Sequence, residues 1–116
     1  MVGRRDPSLS TLLVLRSLLG QPNGQHYGMQ IAEGTGIKSG VLYPILTRLE
    51  SDGLIEGQWE DIDESAAGRR RRRWYRLTDD GRVQAYGLLT SALERLSLPQ
   101  DETPAGRRTG RRPAQC

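Results

Sequence analysis

The chain has 116 residues, a formal net charge of +3, 35% hydrophobic and 5% aromatic residues and no phenylalanine, which bounds it to one small domain with a core built chiefly from leucine. Cys116 is the sole cysteine and His26 the sole histidine, so an internal disulfide is excluded, and neither a metal site, a nucleophile beside a base nor a phosphate loop can be assembled; no enzyme, cofactor or metal is expected. The sequence has no apolar run of the roughly 18 residues that a membrane span needs and no apolar core of a signal peptide after Met1, so a soluble, cytoplasmic protein is expected.

Residues 1–5 read as a flexible arm. Asp6 and Pro7 open a helix that runs to about Leu19 and stops at Gly20, with Asp as the cap and Pro at a position that needs no donor. Its apolar residues Leu9, Leu12, Leu13, Val14, Leu15, Leu18 and Leu19 cover more than one stripe, enough to pack on the core and on a second surface. Gln21 to Gly24 form a turn, in which His26 follows as an exposed, inert residue. A short helix from Tyr27 to Glu33 offers Met29, Ile31 and Ala32 to the core. Gly34-Thr35-Gly36 then leads to a further helix starting near Ser39 to Val41, and helix, short glycine turn, helix is a DNA-reading pattern, weak by itself.

In that next helix Leu42, Ile45, Leu46 and Leu49 recur at i, i+3, i+4 and i+7, which buries one face and frees another carrying Tyr43, Thr47 and Arg48. Pro44 falls in the first turn, where the donor it lacks is not needed. Asp52-Gly53 ends the helix, and Leu54 to Glu60 reads as a strand with Ile55 and Trp59 on one face. A polar loop, Asp61 to Gly68, precedes a returning strand that begins with five consecutive arginines, Arg69, Arg70, Arg71, Arg72 and Arg73. On a strand Arg70 and Arg72 oppose Arg71 and Arg73; Tyr75 and Leu77 then point inward, while Trp74 and Arg76 share the other side. Asp61, Asp63 and Glu64 repel phosphates, so DNA contact belongs to the arginine strand rather than the loop tip.

Thr78-Asp79-Asp80 starts a helix, with a threonine cap and two acids where the helix dipole favours negative charge. Val83, Tyr86, Leu89 or Thr90, Leu93 and Leu96 follow at steps of three and four, close to a heptad seam. That stripe, together with Leu9, Leu12 and Leu13, is expected to meet the same surface of a second copy. Residues 98–116, with arginines between Arg107 and Arg112, read as a disordered basic tail.

The expected architecture is mainly α with a small β-hairpin: a winged helix-turn-helix over residues 6–77 and a dimerisation helix over 78–97. The expected DNA-facing set is Lys38, Ser39, Gly40, Tyr43, Pro44, Thr47 and Arg48 on the helix and Arg69 to Arg73 on the wing. Arg48 suits a phosphate or a bidentate guanine contact equally, and the sequence leaves that open. The rival expectation is a winged helix that binds only protein, for which the acidic loop gives some footing and against which the arginine run argues.

The run Gly36-Ile37-Lys38-Ser39-Gly40-Val41-Leu42-Tyr43-Pro44-Ile45-Leu46-Thr47-Arg48-Leu49-Glu50, with Gly53-Leu54-Ile55, Trp59-Glu60, Gly68-Arg69 and Tyr75-Arg76-Leu77-Thr78-Asp79-Asp80-Gly81, closely resembles the PadR family of bacterial transcriptional regulators. The resemblance covers about Leu12 to Leu96 and matches the short form with a single terminal helix. It implies a homodimeric repressor whose first and last helices form the dimer contact, with double-stranded DNA as partner and, as in many relatives, a small molecule that releases it. One departure stands at Tyr27-Gly28-Met29-Gln30-Ile31, where relatives often show His-Gly-Tyr-Glu-Ile; it puts inherited ligand contacts there in doubt.

Overall fold

Apolar residues at helical spacing gather four helices and a small sheet around one core. The computed structural model describes residues 6–99; the expected arm over 1–5 and the tail from residue 100 onward lie outside the described residues. In chain order the elements are α1 (Leu9–Leu19), β1 (His26–Tyr27), α2 (Gly28–Thr35), α3 (Ser39–Ser51), β2 (Ile55–Trp59), α4 (Glu64–Ala67), β3 (Arg73–Leu77) and α5 (Asp79–Leu96). The sheet is antiparallel with order β1-β3-β2. Among the described residues no helix is long and apolar enough to cross a membrane.

The core joins Val14, Leu15 and Leu18 of α1, Ile31 of α2, Leu42, Leu46 and Leu49 of α3, Leu54 and Ile55, Tyr75 and Leu77 of β3 and Ala85 of α5. Among the described residues no polar or charged residue is buried, so burial of apolar side chains, at about 1.5–3 kcal/mol for each large one, carries the fold. α3 ends in a Schellman turn: Leu54 N–H donates to Leu49 O at 2.9 Å and Gly53 N–H to Glu50 O at 3.1 Å, with Gly53 at φ 82°, a conformation glycine adopts without strain. The start of α5 is fastened to this turn. Thr78 N–H donates to Leu54 O at 3.0 Å, its hydroxyl donates to Gly53 O at 2.7 Å, and it caps the helix by accepting from Gly81 N–H at 2.8 Å.

Several expectations need correction. Ser8, not Asp6, caps α1, accepting from Thr11 N–H at 3.1 Å; Asp6 instead forms an ion pair with Arg95 at 2.8 Å. His26 is not a turn residue: it opposes Tyr75 as a strand pair and its Nε2 lies 2.8 Å from Gln21 O. Met29 is 71% exposed rather than in the core, because α2 turns Gly28 and Ile31 inward. Pro44 lies in the second turn of α3, not the first, and so removes the helical bond that the Gly40 carbonyl would otherwise accept. The loop after β2 contains α4, capped by Asp63 Oδ1, which accepts from Ser65 N–H at 3.0 Å. Of the five arginines only Arg73 belongs to β3; Arg69 to Arg72 form the stretch leading into it.

Gly81 sits so tightly on Leu54 that a β-carbon there would overlap the Leu54 carbonyl, whereas at the exposed helical Gly34 it would meet nothing within 4 Å. Gly81→Ala should therefore cost about 1–3 kcal/mol or more, while Gly34→Ala should be neutral or stabilising by up to about 1 kcal/mol. Urea unfolding of both variants checks this.

Candidate nucleic-acid interface

With Leu42, Leu46 and Leu49 buried, α3 exposes Tyr43, Pro44, Thr47 and Arg48, and its entry exposes Lys38, Ser39 and Gly40. Tyr43 does not wave freely. Its ring lies on the first residue of α2: a β-carbon on Gly28 would overlap the phenolic oxygen and come within 3.0 Å of Cε1 and Cζ. Gly28 is thus the residue that lets α2 approach the tyrosine, and α2 is capped there by Gln30, whose Oε1 accepts from Tyr27 N–H at 3.3 Å. The face carries hydroxyls and one guanidinium, groups that hydrogen-bond to phosphates and base edges.

The wing is held by carboxylates. Glu60 Oε1 accepts from Arg69 Nη1 at 2.7 Å and from Arg72 N–H at 2.8 Å, while Oε2 accepts from Arg69 Nη2 and from the Tyr27 hydroxyl, each at 3.2 Å. Its side chain is only 11% exposed. The guanidinium bonds of Arg69 outweigh the burial and hold the carboxyl down at about 2. Burial, followed by donation to Glu60, raises the Tyr27 phenol above its ordinary value. Glu64 Oε2 accepts from Arg71 N–H at 2.8 Å, and the Arg71 guanidinium lies 5.9 Å from the Trp59 ring.

Arg73 is the most enclosed of the run. It pairs with Glu50 of α3 at 2.8 Å and stacks 5.4 Å from Trp59 and 5.9 Å from Tyr75. Gly57 leaves room for it, since a β-carbon there would fall 2.9 Å from Arg73 Nη2. Glu50 Oε2 also accepts from Gly57 N–H at 3.3 Å, so one carboxylate ties α3 to both strands of the wing. On the opposite face Arg76 pairs with Glu56 at 3.2 Å and lies 5.8 Å from Trp74.

The five arginines are therefore not equivalent. Arg69, Arg71 and Arg73 are engaged with Glu60, Glu64 and Glu50; among the described residues Arg70 and Arg72 form no ion pair and no ring contact, and both are exposed. Arg72 and Tyr43 border one open cleft of about 460 Å³, with Tyr27, Met29, Glu33 and Glu60 on its remaining walls. The sequence reading missed Gly28, Glu50, Gly57 and Glu60. The signal available was charge pattern: acids facing an arginine run across a hairpin favour cross-strand pairs, and Glu60, unlike the loop acids, stands at the strand end.

The seam residues of α5 are outward. Val83, Tyr86, Leu93 and Leu96 are 72%, 70%, 68% and 73% exposed, and Leu9 of α1 is 67% exposed. Thr90 is exposed with them, whereas Leu89 packs partly on the core, as Leu12 and Leu13 are half-buried in α1. Among the described residues no group of three or more His, Cys, Asp or Glu is placed to hold a metal ion.

Comparison with known proteins agrees with this geometry. The family model described as "Transcriptional regulator PadR-like family" matches residues 14–86. No curated protein matches the chain significantly. Among solved structures, the chain is similar to a PadR-like transcription factor from Bacteroides fragilis (24% identity, 73% of this chain and 81% of that one, TM-score 0.61). It is similar also to smu.1704 from Streptococcus mutans UA159 (27% identity, 92% and 100%, TM-score 0.61). NadR in complex with 4-hydroxyphenylacetate shares the fold (23% identity, 81% and 61%, TM-score 0.62).

Two outcomes follow from the contacts. Gly28→Ala should cost about 1–3 kcal/mol, and distinctly less in a Tyr43→Ala background, because the clash needs both partners; a double-mutant cycle by urea unfolding measures the difference. The Glu60 carboxyl is depressed from 4.5 to about 2, so its stabilisation is complete above pH 4.5 and is lost as pH falls through about 2. Glu60→Gln should accordingly flatten the acid limb of stability against pH.

Proposed function

This chain belongs to the PadR-like family of transcriptional regulators, and from that premise we propose that it acts as a homodimeric, sequence-specific repressor on an inverted-repeat operator. The family and the winged-helix neighbours support regulation through DNA binding, and members of the family are regulators rather than enzymes. The observation that carries the finer reading is the shared cleft: Tyr43 of α3 and the unpaired Arg72 of the wing border the same opening, so a helix sized for a major groove and a cation beside it address one duplex face. In this reading Tyr43, Thr47 and Arg48 meet the groove, with Lys38, Ser39, Gly40 and Pro44 at its edge, and Arg70 and Arg72 meet phosphates. Arg69, Arg71 and Arg73 add charge to the same face while holding its shape.

The two-fold partner is a second copy through the α5 seam, with Leu9 beside it. Support comes from the exposed apolar stripe that a small domain leaves uncovered at a cost in water. Release by a small-molecule effector belongs to the same proposal, supported by the ligand-bound structure of the NadR neighbour. A cytoplasmic place of action follows from the DNA target.

Selection of bound duplexes from a random pool tests the proposal directly, with an inverted repeat whose half-sites lie about one or two helical turns apart as the expected result. On the recovered operator, about eight neutralised phosphates give a log–log salt slope near −7. Arg70→Ala with Arg72→Ala should make that slope shallower by about 3 and weaken binding to all sequences alike. Val83→Glu with Leu93→Glu should shift the sedimentation coefficient to that of a monomer and abolish the preference for paired half-sites. Recovery of no enriched sequence, or a slope near zero, would defeat the reading.

A further inference from the structure

An acid at the centre of a phosphate-binding wing is a paradox on charge alone, since every carboxylate there opposes the anion that the wing is built to meet. Glu60 is nonetheless the most connected side chain of the hairpin. Its two oxygens receive four donors from three residues: both Nη atoms of Arg69, the main-chain N–H of Arg72 and the hydroxyl of Tyr27. Its own N–H donates to Arg72 O at 2.8 Å, so Glu60 and Arg72 are locked by a reciprocal pair of bonds just beyond the last strand pair, Trp59 with Arg73. Tyr27 belongs to β1 on the far side of β3, which makes the carboxylate a bridge from the wing to the base of α2.

We propose that Glu60 is the positioning residue of the wing, giving up one unit of favourable charge to set the backbone that aims Arg70 and Arg72 at the duplex. The main chain of Arg70 is held by this arrangement, since its carbonyl accepts from Arg69 Nη1 at 3.1 Å while Arg69 is held by Glu60. Fixing the backbone on both sides of Arg70 removes conformational freedom that would otherwise be lost on binding. The inference rests on the DNA-binding reading, and charge and geometry predict opposite signs for its test.

Glu60→Gln keeps the side chain's size and removes a negative charge. If the carboxylate mattered only as a charge, the variant would bind the operator more tightly, with a steeper salt dependence. Positioning predicts the reverse: affinity about tenfold weaker and a slope shallower by about one to two, measured by fluorescence anisotropy of the full chain across a salt series. Tyr27→Phe removes one of the four donors without changing charge and should weaken binding about two- to threefold in the same direction. Amide exchange of Arg71 and Arg72 should speed up in both variants while exchange in α1 and α3 stays unchanged. Equal or tighter binding by folded Glu60→Gln overturns the inference, as does unchanged affinity and unchanged amide exchange in Tyr27→Phe if the glutamine variant does not fold. Failure of the wild-type chain to bind any duplex overturns the DNA reading instead, and the amide exchange of the wing still decides the positioning role.

Discussion

The leucine stripe of α3 lies at the centre of the one buried core. Leu42, Leu46 and Leu49 are buried together with residues of α1, α2, β2, β3 and α5, and in a chain without phenylalanine no larger side chain substitutes for them. Burying that stripe fixes the rotation of α3 about its axis. Tyr43, Thr47 and Arg48 face outward for the same reason that the leucines face inward, since a helix repeats every 3.6 residues and offers no third choice. The display of the face proposed to read DNA is a by-product of core packing.

The wing meets a different constraint. Five adjacent guanidinium groups repel one another, and the fold relieves this by pairing alternate members with Glu60, Glu64 and Glu50. Compensation also selects: pairing Arg69, Arg71 and Arg73 leaves Arg70 and Arg72 as the cations not already committed. Glu50 extends the arrangement to α3, because the helix carboxylate that holds Arg73 of β3 also accepts from Gly57 N–H of β2. Helix and wing are therefore joined through one acid. The more exposed pairs of Glu64 and Glu50 add little stability individually; their consequence lies in geometry.

At the other end, α5 departs from the domain at an angle set by Thr78 and Gly81 against Leu54. Gly81 and Ala85 bring the first turns close, and farther along the helix Leu93 and Leu96 are exposed. The seam proposed for the second copy runs along the opposite face from Val83 and Tyr86 to Leu93 and Leu96, so the same helix would serve the domain on one face and the second copy on the other.

Local physics made much of this legible in the residues. The period of α3, the glycine after it, the Thr-Asp-Asp start of α5 and the alternation of Tyr75 and Leu77 each depend on neighbours a few positions away, and each agrees with the structure. The family, too, was carried by contiguous motifs. Contacts between distant segments decided the rest. β1 exists because His26 and Tyr27 find β3, Met29 is outside because α2 closes on Tyr43 through Gly28, and the fates of the five arginines were set by acids brought near them by folding. A run of like charge announces attraction to phosphate from sequence alone; which members remain free depends on where the carboxylates land, and only the tertiary structure determines that.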